Sequence, residues 1–228
     1  MTTRLHGVGE TSKTKEQFDE LERSIVRGRV LDIGAGPDPI TPDAVVFDVE
    51  QGDANHITAF EPESFDLVYS SHCLEHMHDP RSTLLNWWSL VKPGGHLYVI
   101  VPDEDLYEQG VFPSRFNPDH KHTFTISKKR SWSPKSVNVL ELAQTLPGGV
   151  VLSLVLNDTG YDRSVSFHGP TTRNAFLRWL RKTYRSLRKR NLIDRKPKFE
   201  RWMARTVGWD QLNDRALAQI ELIVRKEA

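Results

Sequence analysis

The segment Val30-Leu31-Asp32-Ile33-Gly34-Ala35-Gly36 constrains this chain more than any other. A Val/Leu/Ile run with one acid suits a short strand covered on both faces. Gly34 and Gly36 then let the backbone turn sharply and let a ligand approach without a Cβ in the way. A second apolar run, Val45-Val46-Phe47, ends at Asp48. Strand, glycine loop, strand and acid in that order describe an open α/β sheet with a nucleoside site at its carboxyl edge.

The loop narrows the choice of nucleoside. A dinucleotide fingerprint needs a third glycine, and here the chain continues Pro37-Asp38-Pro39. Asp38 would repel a diphosphate. The Gly-Lys-Ser/Thr of a phosphate-binding loop is also missing. An acidic glycine loop suits a cationic or zwitterionic ligand, and S-adenosylmethionine carries both a sulfonium and an ammonium.

The remaining elements follow from periodicity. Residues 14–27 read as an amphipathic helix with Phe18, Leu21, Ile25 and Val26 on one face. Arg4-Leu5-His6-Gly7 ahead of it reads as a frayed terminus or a lid. Strands are expected at 29–33, 44–49, 65–70, 96–101, 150–156 and 218–225. About ten residues separate the first two, too few for a full crossover helix. Residues 51–63 are likewise too few for a helix and a further strand. Asp79-Pro80 starts a helix that runs to Val91, and Ser133-Pro134 starts another that runs to Leu146.

Composition bounds the rest. At 228 residues the chain fits one α/β domain with an insertion. Cys73 is the single cysteine, which fits a reducing, cytoplasmic setting. No run is long enough for a membrane span. The net charge of +1 hides an asymmetry, because residues 171–205 carry thirteen Lys/Arg against two acids.

Further motifs follow in order. They are Gly52-Asp53-Ala54, then Phe65-Asp66-Leu67-Val68, then Leu74-Glu75-His76, then Asp79-Pro80, and finally Val91-Lys92-Pro93-Gly94-Gly95. Together with the first loop they resemble class I S-adenosylmethionine-dependent methyltransferases of the small bacterial type 11-like kind. The resemblance covers residues 28–126 well and the last hundred poorly. It implies a Rossmann-like, mostly parallel sheet whose last strand is antiparallel. Here the first helices would be trimmed, and residues 157–216 would form a basic helical insertion that caps the substrate. The resemblance also implies the cofactor, S-adenosyl-L-methionine, and its holders. Asp32, Gly34, Ala35 and Gly36 would line the methionine part. Asp48 would accept the ribose hydroxyls, Asp53 the adenine amino group, and the backbone at Ala54 would meet the ring edge. Ser70 and Ser71 would lie near the methionine amine and the transferring methyl.

Transfer to a hydroxyl needs a base near the transition state. Asn117-Pro118-Asp119-His120-Lys121-His122 lies at the carboxyl edge, and if extended it puts His120 and His122 on one face. His120 and His122 are the expected base or substrate contacts, with Asp103 and Glu104 as further candidates. Glu75-His76 reads as helix capping and packing. Asp103, Asp105 and Asp119 could offer oxygen ligands to Mg²⁺, and His120-x-His122 could suit a transition metal. With no second cluster to complete a shell, metal-independent chemistry is expected.

In the basic segment, Phe176, Trp179, Leu180, Tyr184 and Leu187 form a helical stripe. Its charge favours a phosphate-bearing partner, such as a saccharide carrier, an anionic membrane surface or, less well, nucleic acid. The expected activity is O-methylation of a small-molecule or saccharide acceptor, loosely associated with polysaccharide biosynthesis. The alternatives are an RNA or protein methyltransferase, and a non-catalytic cofactor-binding scaffold.

Overall fold

A computed structural model describes residues 10–169, 171–172, 174–212 and 216–228. The Arg4–Gly7 segment lies outside them. Two short helices, α1 (Glu10–Lys15) and α2 (Glu20–Ile25), precede strands β1 (Val30–Ile33), β2 (Val45–Phe47) and β3 (Phe65–Ser71). Helix α3 (Pro80–Ser89) leads into β4 (Val91–Pro102). The small strands β5 (Thr123–Thr125) and β6 (Ser136–Asn138), helix α4 (Val139–Ala143) and strand β7 (Gly149–Asn157) follow. Helices α5 (Ala175–Lys189) and α6 (Pro197–Val207) come before β8 (Gln219–Lys226).

The main sheet runs β2-β1-β3-β4-β8-β7, with β1 to β4 parallel. The last strand, β8, lies antiparallel between β4 and β7. Alternating residues feed two cores. Leu31, Ile33, Val68 and Val99 pack with Leu84, Trp87 and Trp88 of α3 and with Val139 and Leu142 of α4. Val30, Leu67, Tyr69 and Tyr98 pack with Phe18 and Ile25 on the opposite face. Coverage on both faces is why β1 is apolar throughout.

Three expectations need correction. Residues 14–27 are not one helix, because Asp19 accepts from the Leu21 and Glu22 amides and Glu22 answers to the Asp19 amide. This capping box starts a new helix inside the expected one. The helix expected from Ser133-Pro134 starts later. Residues 133–136 form a turn, 136–138 pair with β5, and Asn138 caps α4 by accepting from Glu141 N. The third concerns the stripe of α5. Tyr184 is buried in the insertion's own core with Met203, Val207 and Trp209, but Phe176 and Trp179 are 63% and 58% exposed.

No helix connects β1 to β2 or occupies residues 48–64. Helix α3 holds the second of these loops in its place: Asn86 exchanges two hydrogen bonds with the Ile57 backbone, and Trp87 Nε1 donates to Ala54 O (2.9 Å). The loop after β4 is pinned by Glu104. Its fully buried carboxylate accepts from Thr123, Lys128, Ser131 and Ser136. Removing a buried acceptor strands its donors, so Glu104→Ala should cost on the order of 2–4 kcal/mol. Urea unfolding measures this, and amide exchange should rise first at residues 123–125 and 136–138.

Candidate active site

A cleft of about 570 Å³ opens at the carboxyl ends of β1, β2 and β3, lined by Gly34, Asp48, Asp53, Ala54, His72 and Met77 among others. Gly34 has φ +77°, and a Cβ there would sit 2.8 Å from the Cys73 Cβ, so only glycine fits. Gly36, with φ +53°, has nothing within 4 Å of where a Cβ would be, leaving bare backbone. Its amide donates to Asp48 Oδ2 (2.8 Å), and Val49 N donates to Oδ1 (2.7 Å). Each oxygen keeps a lone pair for hydroxyl donors. Asp53 Oδ1 accepts from both the side-chain and the backbone amide of Asn55, which holds its carboxyl below the usual range. These features fit an adenosyl ligand: a bare glycine turn for the ligand's backbone-facing side, and carboxylates with spare acceptor capacity along the floor.

The other expected holders sit further back. Asp32 is only 1% exposed and accepts from Ile40 N (2.6 Å), so it orders the glycine loop from beneath. Burial pushes its pKa up to about 7, against the opposing Ile40 hydrogen bond. Ala35 is buried at the same turn. Ser70 is spent on the Ile33 carbonyl, and Ser71 is buried. Neither serine lines the cleft; His72 and Cys73, the next two residues, do. Burial pushes the Cys73 thiol up to about 12, so it stays protonated and is no nucleophile.

A second cavity, of about 320 Å³, is lined by His72, Glu75, His76, Tyr107, Phe116, Asn117, His120, Asp210 and Leu212. The two cavities share His72 and His76. His72 occupies the left-handed region, φ +54°, where β3 gives way to the turn Leu74–His76. Such backbone costs about 1–3 kcal/mol outside glycine.

Glu75 is the centre of this cavity. It is 0% exposed, and neither carboxylate oxygen has a hydrogen-bond partner. Instead Oε1 lies 3.4 Å from His72 Nδ1, 3.8 Å from His120 Nε2 and 4.0 Å from His76 Nε2. Burial opposes its ionisation, but His72 first, and then His120 and His76, outweigh burial and hold its pKa below the usual range. The Glu75 carbonyl accepts from the Lys121 and His122 amides, and Lys121 Nζ donates to His76 O. The histidine loop is thereby tied to the end of β3.

Two outer carboxylates orient the rings. His120 Nδ1 donates to buried Glu108 Oε1 (2.7 Å), and His76 Nδ1 donates to Asp119 Oδ2 (2.9 Å). Tyr107 stacks on His120 at 5.2 Å. His122, expected to share a face with His120, faces elsewhere and meets His78 O. The segment is a turn closed by His120 N to Asn117 O, so the extended alternation does not apply. Asp103 lines neither cavity; it caps the π-helical turn Glu104–Glu108 by accepting from the Asp105 and Leu106 amides. Glu75 and His76, read from sequence as capping and packing, stand at the centre of the imidazole–carboxylate cluster. The signal for this was present: a carboxylate flanked by His72 and His76 at a strand end.

Comparison with known proteins agrees with the geometry. A methyltransferase-domain family matches residues 11–133, more than half of the chain. The ubiquinone biosynthesis O-methyltransferase of Ralstonia nicotianae is 44% identical over 54 residues, spanning 24% of this chain and 23% of that protein. Phosphoethanolamine N-methyltransferase 2 of Haemonchus contortus, solved with phosphomonomethylethanolamine and S-adenosylhomocysteine, aligns over 96% of this chain and 53% of its own (TM-score 0.51, 14% identity). A Haloferax volcanii methyltransferase bound to the Trm112 activator aligns over 91% of this chain and 89% of its own (TM-score 0.50, 14% identity). At these identities the two structures show a shared fold.

The raised pKa of Asp32 has a consequence for stability. Between pH 3.8 and about 7 the folded protein keeps a proton on Asp32 that the unfolded chain releases. Stability from this group therefore falls as pH rises through that window, by at most about 4 kcal/mol. Asp32→Asn can still accept from Ile40 N. Urea midpoints from pH 4 to 8 should decline less in this variant than in the wild type; parallel curves would contradict the assignment.

Proposed function

The chain belongs to the methyltransferase-domain family of class I S-adenosylmethionine-dependent enzymes, and we propose that it O-methylates a small-molecule or saccharide acceptor. The observation that carries this reading is the meeting of two cavities at His72 and His76. One holds the glycine turn and Asp48; the other holds the imidazole–carboxylate cluster. A methyl donor in the first and an acceptor hydroxyl in the second would face each other across those two residues.

S-adenosylmethionine supplies an already activated methyl group, so the protein mainly aligns the partners and handles one proton. Asp48 would accept the ribose hydroxyls with its remaining lone pairs, Asp53 the adenine amino group, and the Ala54 backbone the ring edge. His120, fixed by Glu108 and stacked on Tyr107, would take part in deprotonating the acceptor. Direct displacement at a sulfonium requires a dry, aligned nucleophile, and the aromatic walls of Tyr107 and Phe116 favour that.

Residues 157–216 act as a cap in this reading, because Asp210 and Leu212 close the acceptor cavity. Much of their basic charge is used internally. Arg188 and Arg195 pair with buried Glu200, and Arg181 donates to the Val207 and Gly208 carbonyls. On α5 and its C-cap, Arg178, Lys182, Lys189 and Arg190 are exposed on the same helix as exposed Phe176 and Trp179, and Lys196, Lys198, Arg201 and Arg205 are exposed further on. Basic residues next to exposed aromatics on one helix suit an anionic surface, which supports a phosphate-bearing or membrane-associated acceptor over nucleic acid. The curated relative is named an O-methyltransferase, which supports oxygen as the accepting atom. The cluster around Glu75 argues against a scaffold, since a buried charge without structural hydrogen bonds costs stability.

Asp48→Ala should weaken S-adenosylhomocysteine binding at least tenfold in calorimetry. His120→Ala should keep that affinity and lower kcat on the true acceptor by about 10²–10⁴, whereas His122→Ala should stay within about threefold of wild type. Full turnover by His120→Ala would remove this residue from the reaction.

A further inference from the structure

Glu75, His76 and His120 each offer a ligand atom within 4.8 Å of the others, and both Nε2 atoms lie within 4.0 Å of Glu75 Oε1. We propose that these three groups bind a divalent transition-metal ion of the zinc class. Two histidines and one carboxylate, with a cavity on the remaining side, are the donor set of catalytic zinc and non-haem iron sites.

Three observations support a cation at that point. First, Glu75 is a fully buried carboxylate with no hydrogen bond to either oxygen. An ionised group in that state needs a positive partner. Second, the separations of 3.8 and 4.0 Å from Oε1 to the two Nε2 atoms are too long for hydrogen bonds. Ligand bonds of about 2.0–2.2 Å at a tetrahedral angle place donor atoms about 3.4 Å apart, so each ring needs to close on Glu75 Oε1 by about half an ångström, and the two rings on each other from within 4.8 Å. Third, the outer groups are those a metal site requires. Both histidines give their Nδ1 proton to a carboxylate, His76 to Asp119 and His120 to Glu108. A carboxylate on Nδ1 fixes the tautomer that turns the Nε2 lone pair inward and makes it more basic.

The fourth position opens to the cavity walled by Tyr107, Phe116, Asn117 and Leu212. The binding of the ion stands on this geometry alone; its role in transfer rests on the proposed function. There His120 would act through the ion rather than as the base itself: the acceptor hydroxyl would bind the ion, which lowers the hydroxyl pKa, and release its proton to solvent. The oxygen lone pair then forms the C–O bond, while the pair of the broken C–S bond stays on sulfur and neutralises the sulfonium.

The test uses the full chain, stripped with chelator and titrated with Zn²⁺ by calorimetry, and Co²⁺ absorption reads the ligand set. Wild type should bind one Zn²⁺ with submicromolar Kd and give a four- or five-coordinate Co²⁺ spectrum. Glu75→Gln and His120→Ala should each weaken binding at least 100-fold, and His122→Ala should leave it within threefold. S-adenosylhomocysteine affinity, measured on every variant, shows that the fold and the cofactor cleft survive. Equal Zn²⁺ affinity in wild type and Glu75→Gln, or no stoichiometric binding by wild type, overturns the site. Methyl transfer that runs as fast in chelator as with Zn²⁺ bound overturns the ion's role while leaving the proposed function standing. Tight Zn²⁺ binding without S-adenosylhomocysteine binding would fail the proposed function instead.

Discussion

A carboxylate buried to zero exposure organises the functional edge of this protein. Glu75 stands where β3 ends, and its charge cannot be accommodated alone in a low-dielectric interior. Its side chain draws in His72, His76 and His120, and its carbonyl anchors the Lys121 and His122 amides. The loop after β4 is therefore docked on the end of β3 by charge at one point and by backbone hydrogen bonds next to it. That docking separates the space above the sheet into two cavities and puts histidines at their boundary.

The cleft at the carboxyl ends of β1, β2 and β3 is built with little helical support. Among the described residues no helix follows β1 or β2. The compensation comes from side chains. Asp32 holds the glycine loop from below through Ile40, Asp48 holds it from the side through Gly36, and Asn86 and Trp87 hold the next loop through Ile57 and Ala54. Each bond ties a loop amide or carbonyl to a rigid strand end or to α3, so the cleft keeps its shape although its walls are loops.

The sequence revealed those parts whose signal is local. Strand β1, the glycine turn and Asp48 were legible because apolar runs and glycines have direct backbone meaning, and Asp79-Pro80 because cap and proline act within one turn. The antiparallel β8 came from family resemblance, and its pairing with β4 and β7 bears that out. The capping box at Asp19 and Glu22 was visible but competed with an apolar periodicity that runs across it. The cluster at Glu75 was legible only in part: His72 and His76 flank it in the sequence, but His120, Glu108 and Asp119 reach it or its histidines only through the fold. His120 and His122 separated for the same kind of reason: a hydrogen bond from His120 to Asn117 makes a turn where alternation assumed a strand.

A crystal structure of the protein with S-adenosylhomocysteine tests the two-cavity arrangement most directly. The ribose should lie on Asp48, the adenine beside Asp53 and Ala54, and the sulfur against His72 and His76, pointing at the cavity that contains Glu75. A cofactor whose sulfur points away from those histidines, or which fills the second cavity itself, would contradict the assignment of donor and acceptor sites.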